Sequence, residues 1–145
     1  GVGLQGHWAL DYPSEQEIDD SLTDYGKLGV KVMITELDMN VLPRPTRNQG
    51  ADIAERVALR EGMNPYREGL PAEVSQAQAD RYALFFRLFK KHDAAISRVT
   101  FWGVDDGQSW HNNWPVRGRV AHSLLFDRNL EPKPAFWSVL NVAKE

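Results

Sequence analysis

The sequence predicts an α/β fold in which parallel strands alternate with helices. Three short segments rich in apolar and β-branched residues have the length of strands, over residues 1–7, 30–36 and 98–104. Segments with helical spacing and N-terminal capping signals separate them. Each predicted strand ends in polar or aromatic side chains, as parallel strands do when they deliver functional groups to one end of a sheet.

Composition is that of a globular protein and excludes several classes of function. The chain has 145 residues, of which 42% are hydrophobic and 26% are charged, with a net charge of -3. No basic stripe is present, so nucleic acid is not an expected partner. No apolar run approaches the ~20 residues of a membrane span, so a membrane is not expected either. Without cysteine, the chain has neither disulfides nor thiolate metal sites.

The first predicted strand, residues 1–7, is rich in glycine and places Gln5 and His7 on one face. A capping box formed by Ser14 and Glu17 then predicts a helix start. The apolar positions of this helix are Ile18, Leu22, Tyr25 and Leu28, and Gly29 ends it.

The second predicted strand carries two acids after its apolar residues. Because strand side chains alternate, Val32, Ile34, Glu36 and Asp38 are expected on one face. In a barrel of parallel strands, the end of such a strand lies at the mouth, where catalytic groups sit. An ordinary junction between strand and loop with solvated acids is the alternative.

A long connection over residues 39–74 follows, with a short helix predicted over 51–61. It forms either a rim around a cleft or a solvated insertion without a role in binding. A second capping box, starting at Ser75, then predicts a helix whose aromatic stripe packs in the core. That stripe consists of Tyr82, Phe85, Phe86 and Phe89, after Gln78.

The last predicted strand, residues 98–104, places Thr100 and Trp102 on one face and leads into a polar and aromatic loop over 105–123. Pro134 is expected near the first position of a final helix, 134–143. That helix is predicted to bury one face and to hold Trp137 in the core; the face consists of Phe136, Val139, Leu140 and Ala143. Trp8 and Trp114 are assigned to neither core nor site.

Four blocks of sequence carry a resemblance to a known family. GVGLQGHW, VKVMITELD, RVTFWGVDDGQSW and SLLFDRNLEPKPAF occur in this order in the C-terminal half of glycoside hydrolase family 10 endo-xylanases, and together they span nearly the whole chain. Two places depart from the common pattern. His111 stands where an apolar residue or arginine is more usual, and the segment 121–123, Ala-His-Ser, stands where many relatives have Tyr-Pro.

The resemblance implies the fold. The chain is expected to form the C-terminal portion, about strands 6 to 8, of a (β/α)8 TIM barrel. A complete barrel of this kind needs ~250 residues. Residues 1–145 are therefore expected to be an incomplete catalytic domain whose partner is the remaining N-terminal part of the barrel.

The resemblance also implies residue roles. The ITELD glutamate, Glu36, is expected to be the nucleophile, with His7 orienting it and Asp38 bonded behind the histidine. Trp102 and Trp110 are expected to shape the glycone side of a sugar cleft, and Gln5 to hydrogen-bond either a sugar hydroxyl or the nucleophile. In the family the general acid is a glutamate after an asparagine, and no Asn-Glu pair occurs in this sequence.

The expected function is therefore that of an endo-acting, retaining endo-1,4-beta-xylanase, with the acid/base residue outside this chain and the chain alone inactive. Xylan and xylo-oligosaccharides are the expected substrates, no cofactor or metal is expected, and a secreted or periplasmic location follows from the resemblance alone. The alternative is a non-catalytic xylan-binding protein on the same scaffold. A metal-dependent hydrolase using His7, Glu36, Asp38 and His122 is a third, less favoured hypothesis, because no HExxH-type spacing occurs.

Overall fold

The computed structural model describes residues 1–44 and 58–145 of the chain. The strands are β1 (Val2–Leu4), β2 (His7–Ala9), β3 (Val32–Asn40) and β4 (Ile96–Phe101), and the helices are α1 (Glu15–Lys27), α2 (Ala72–Lys91) and α3 (Pro134–Lys144). A short 3-10 helix, Trp110–Asn112, lies between β4 and α3. Strands and helices alternate along the described chain, as the sequence predicted.

All strands pair in parallel with β3. β1 pairs with the first residues of β3, where Val2 lies opposite Val32, and β2 pairs with the last residues, where His7 lies opposite Asp38. β4 also pairs with β3. The carboxyl ends of parallel strands lie at the same end of a sheet, and this arrangement brings β2 beside the end of β3.

The predicted strand over residues 1–7 is divided at Gly6. Gly6 has a φ of 88°, and a Cβ atom there would come within 2.8 Å of Cγ2 of Ile34. Glycine tolerates both the positive φ and the close approach, whereas any other residue would have to displace Ile34. The division means that His7 opens a new strand, β2, rather than ending the first one.

A register shift in β3 changes which side chains share a face. Strict alternation would put Ile34 and Leu37 on opposite faces, but the pairing shifts between them, and both are fully buried in one core cluster with Val32. Glu36 and Asp38 lie on the other side. The prediction that these acids share a face with Val32 and Ile34 was therefore wrong.

Helix α1 begins as predicted. The backbone N–H of Ser14 donates to Oε2 of Glu17 at 2.7 Å, and the backbone N–H of Glu17 donates to Oγ of Ser14 at 3.2 Å. Ile18 and Leu22 are buried, but Leu28 is 72% exposed at the C-cap and does not join the core.

Helix α2 begins earlier than predicted. It starts at Ala72, directly after Pro71, and its N-cap makes no side-chain hydrogen bond, so the capping box predicted at Ser75 was wrong. Gln78 is fully buried, and its amide donates to the backbone oxygens of Met39 and His122. The aromatic stripe is in the core as predicted, with Tyr82, Phe85 and Phe89 buried and Phe86 packed against them.

Helix α3 begins at Pro134 as predicted, but it presents a different face. Ala135 and Val142 are buried, whereas Ala143 is exposed and Trp137 is 51% exposed. The prediction that Trp137 lies in the core was wrong, because Trp137 lies on the side of the helix opposite the buried Ala135. Of the predicted face, Phe136 and Val139 do pack against the core.

The long connection is described only in part. Residues 45–57 lie outside the described residues, and so does most of the helix predicted over 51–61; residues 58–61 are not helical. Asn64 connects the described part to the later loop, because its Oδ1 accepts the backbone N–H of Val120 at 2.8 Å. Within 1–44 and 58–145, no helix has both the length and the apolar character of a membrane span.

Candidate active site

Three ionisable side chains meet where β2 lies beside β3. Nε2 of His7 lies 3.0 Å from Oε2 of Glu36, and Nδ1 of the same ring lies 3.1 Å from Oδ2 of Asp38. The side chain of Glu36 is 24% exposed, whereas that of Asp38 is 1% exposed. The imidazole therefore joins an accessible carboxylate to a buried one.

Asp38 is held by donors from two parts of the fold. Besides His7, the indole Nε1–H of Trp110 donates to Oδ2 at 2.6 Å, and Nε2 of His111 lies 3.3 Å from Oδ1. Burial alone would raise the pKa of this carboxyl group. Hydrogen bonds from His111 and then His7, with the attraction of their charged forms, outweigh that effect and hold the pKa below its ordinary value.

The two flanking carboxylates also shift the pKa of His7. Burial alone would lower the pKa of the imidazole, because it disfavours the charged ring. Hydrogen bonds and charge attraction from Asp38, and then from Glu36, outweigh burial and raise the pKa. With both ring nitrogens facing carboxylate oxygens, the doubly protonated imidazolium is the favoured form, and it donates to both acids.

Aromatic rings surround this triad. The ring of Trp110 lies 4.6 Å from that of His7, and Trp114 stacks on Trp110 at 4.7 Å with planes 12° apart. Trp102 is 46% exposed and meets His7 edge-on at 6.4 Å. The structure thus brings Trp102 and Trp110 to His7, and it adds Trp114, which the sequence left unassigned. Trp8 instead packs in the core.

Gln5 lies beside Glu36 through its backbone. Its carbonyl oxygen accepts the backbone N–H of Glu36 at 2.8 Å, while the residue as a whole is exposed at the end of β1. The contact places Gln5 next to the predicted nucleophile and fixes the backbone of Glu36.

The loop over 105–123 is fixed by buried polar groups. Lys133 donates to Asp106 at 2.9 Å and to the backbone oxygen of Leu124 at 2.7 Å, and the backbone N–H of Leu124 donates to Asp106 at 2.8 Å. Asn112 accepts the backbone N–H of Ala121 at 2.8 Å. These bonds hold the segment that carries Trp110 and Trp114 against the sheet.

His122 does not join the triad. Its Nε2 lies 2.9 Å from the backbone oxygen of Tyr66, and its Nδ1 lies 3.7 Å from Asp106. In the described parts of the chain, no group of three or more His, Asp or Glu residues is arranged to hold a metal ion. The arrangement required by the metal-dependent hypothesis is therefore not formed by these four residues.

Sequence reasoning missed several contacts of the site. It noted His111 as a departure from the family pattern but gave no sign that the ring reaches Asp38. Asn112, Asp106 and Lys133 also went unnoticed. Lys133 stands between two prolines just before a helix start, and a charged residue there is usually exposed, so nothing in the sequence revealed its burial.

This geometry supports one kind of chemistry best. An accessible carboxylate hydrogen-bonded to an imidazole can attack or stabilise a carbon that develops positive charge. Aromatic faces beside it can stack on sugar rings, whose C–H groups are apolar.

Comparison with known proteins identifies the family. The profile described as Glycosyl hydrolase family 10 matches residues 1–142. The chain belongs to this family. Endo-1,4-beta-xylanase A of Xylanibacter ruminicola is 39% identical over 141 residues, covering 97% of this chain and 38% of that protein. Endo-1,4-beta-xylanase of Geobacillus stearothermophilus is 37% identical over 145 residues, covering 98% and 38% respectively.

Solved structures of family 10 share the fold. A family 10 endoxylanase retrieved from a sugarcane soil metagenome superposes with a TM-score of 0.92 at 41% identity, covering 98% of this chain and 41% of that one. A mutant protein in complex with xylotriose gives 0.77 at 32% identity, covering 97% and 38%. The chain aligns with the C-terminal part of these TIM barrels, as predicted, and spans about 38% of the length of the curated relatives above.

Proposed function

We propose that the protein supplies the nucleophile half of an endo-acting β-1,4-xylanase site that works by double displacement. The observation that carries this proposal is the position of Glu36, an accessible carboxylate with one oxygen 3.0 Å from the imidazole of His7. Family membership supports xylan as the substrate, since relatives along the whole chain are named endo-1,4-beta-xylanases.

In the first step, an oxygen of Glu36 attacks the anomeric carbon of a xylose unit. The bond from that carbon to the leaving sugar oxygen breaks, and a general acid protonates the oxygen as it departs. In the second step the group that served as general acid, now deprotonated, acts as a base and takes a proton from water. The water oxygen attacks the anomeric carbon and releases Glu36 as a carboxylate.

His7 and Asp38 keep Glu36 ready for this attack. A protonated His7 donates to Oε2 of Glu36, while the buried Asp38 favours the protonated state of His7. The chain of contacts orients the nucleophile and lets the imidazolium stabilise charge that returns to Glu36 when the covalent intermediate breaks down.

Trp102, Trp110 and Trp114 provide the sugar-binding surface of the proposal. Trp110 and Trp114 are stacked nearly parallel, and the exposed Trp102 meets His7 edge-on. Pyranose rings would stack on these faces on the glycone side, with Gln5 within reach of a hydroxyl group.

The general acid completes the site from outside these 145 residues. The family uses an Asn-Glu pair for this role, and the sequence contains none. Removing general acid catalysis alone costs ~10²–10⁴ in rate, so the chain without that residue is expected to bind xylo-oligosaccharides but to turn them over poorly.

Covalent trapping tests the proposal. Incubation of the protein, together with the remaining strands of a family 10 barrel, with an inactivating 2-fluoro-xylobioside should attach the sugar to the peptide that contains Glu36. Attachment at Asp38, Glu15 or Glu17 would overturn the assignment. Tight xylan binding without any labelling or turnover would favour the non-catalytic xylan-binding alternative.

A further inference from the structure

His111 stands at a position where its chemistry bears on the site without touching the substrate. It belongs to the 3-10 helix that follows Trp110, and only 6% of the residue is exposed. Its Nε2 lies 3.3 Å from Oδ1 of Asp38, whereas His7 and Trp110 both contact the other oxygen, Oδ2. His111 is therefore the side chain that satisfies the second oxygen of a carboxylate that is 1% exposed.

The surroundings of Nδ1, the other ring nitrogen of His111, determine which nitrogen carries the proton. Nδ1 of His111 is buried and, among the described residues, has no hydrogen-bond partner. A proton on Nδ1 would leave a buried N–H donor unpaired, which costs more than leaving a lone pair unpaired. The tautomer with its proton on Nε2 is therefore favoured over the one with its proton on Nδ1, and in it His111 donates to Asp38.

We propose that His111 is a positioning residue of the active site: by donating to Asp38, it takes up part of the charge that His7 would otherwise receive and so sets how firmly His7 holds its second proton. The inference rests on the proposed function, because the proton on His7 affects catalysis through the hydrogen bond to Glu36, the proposed nucleophile. It goes further in assigning a role to a residue at which the chain departs from the common pattern of its family.

A few ionisable groups around His7 and Asp38 determine the pKa shifts of these two residues. Glu36 and Asp38, both on β3, act on His7, and His7 and His111 act on Asp38. Tyr82 on α2 is near enough for the charge of Asp38 to act on it, but burial raises the pKa of the phenol well above the ordinary value, so it stays neutral. The donor on Oδ1 is thus the contact that distinguishes this site from one with an apolar residue at position 111.

Replacing His111 by leucine should strengthen the hold of Asp38 on His7. The loss of the donor concentrates the carboxylate charge on the His7 side and removes a positive dipole end from the neighbourhood. Both changes favour the imidazolium, so the titration midpoint of His7 should rise by about 0.5 to 1 unit. His111→Gln, whose amide offers a donor near the place of Nε2, should restore most of the original midpoint.

The experiment is an NMR titration of the ¹⁵N-labelled histidines in the protein and in both variants, with His92→Gln, directly after α2, as a control remote from Asp38. A midpoint of His7 in a folded His111→Leu variant that stays within about 0.2 unit of the original would refute the proposal. If that variant fails to fold, the unmodified protein decides. The ¹⁵N shifts of its His111 ring report which nitrogen carries the proton, and a tautomer with its proton on Nδ1 and none on Nε2 would refute the proposal.

Activity measurements separate this inference from the function. If the proposed function holds, the alkaline limb of kcat/KM should move with the His7 midpoint in His111→Leu and return in His111→Gln. An alkaline limb that stays fixed while the midpoint moves would overturn the catalytic part of the role. A protein that never cleaves xylan, but whose His7 midpoint responds to His111, would contradict the proposed function and leave the electrostatic coupling intact.

Discussion

The indole of Trp110 donates a hydrogen bond of 2.6 Å to Oδ2 of Asp38. This bond joins the aromatic surface to the strand that carries the predicted nucleophile. Under the proposed function, Trp110 therefore makes two separable contributions: a ring face for sugar stacking, and an N–H group that holds a buried carboxylate.

Two substitutions separate these contributions. Trp110→Ala should weaken xylotriose binding by ~1–3 kcal/mol through lost stacking and apolar burial, with the largest effect on short substrates bound on the glycone side. Trp110→Phe keeps a ring but removes the donor to Asp38, so it should retain most of the affinity and lose turnover instead. Isothermal titration calorimetry and initial rates measure the two effects. Unchanged xylotriose affinity in a folded Trp110→Ala protein would show that Trp110 only packs.

Glu36→Gln should nearly abolish turnover while leaving xylo-oligosaccharide affinity largely intact, because the amide keeps the shape of the side chain but is not a nucleophile. The same change removes a charge that helps to raise the pKa of His7, so that pKa should fall. Steady-state kinetics and a histidine titration measure both. Glu15→Gln, at the exposed start of α1, is the matched control and should alter neither.

The meeting of His7, Glu36 and Asp38 was predicted from the family resemblance, and the expectation that the ends of parallel strands lie together agreed with it. The sequence did not predict the register shift after Ile34, since a single extra residue leaves ordinary alternation on either side of it. His111 meets Asp38 across 73 residues of chain, and such contacts depend on the path of a loop rather than on any local pattern. Trp137 was misplaced for a related reason: spacing shows that a helix has an apolar stripe, whereas the packing decides which of its residues face inward.

The stability of the protein should depend on pH through His7. The pKa of this imidazole is raised in the folded state above its ordinary value of 6.5. Its contribution is therefore fully present below pH 6.5 and is lost as the pH rises through the folded value. Urea denaturation across this range should show a loss of stability in the protein that His7→Gln lacks. An identical alkaline decline in both proteins would contradict the assignment.

Lys133 and Asp106 should be coupled in stability. The side chain of Lys133 is 10% exposed and that of Asp106 fully buried, and burial lowers the pKa of the lysine while Asp106 opposes that change. Lys133→Met leaves the buried carboxylate without its cation and should cost ~3–5 kcal/mol of unfolding free energy. The double variant Asp106→Leu with Lys133→Met removes both charges and should cost less than the single change. The saving is reduced by the loss of the hydrogen bond from the Leu124 N–H to Asp106.

Lys91→Met is the matched control, since Lys91 pairs with Asp19 at the surface with 59% of its side chain exposed. This change should cost ~0–1 kcal/mol of unfolding free energy. Chemical denaturation of the unmodified protein, these three variants and Asp106→Leu alone completes the double-mutant cycle and measures the coupling. Equal losses from Lys133→Met and Lys91→Met would show that the Lys133 pair does not hold the loop that carries Trp110 against the sheet.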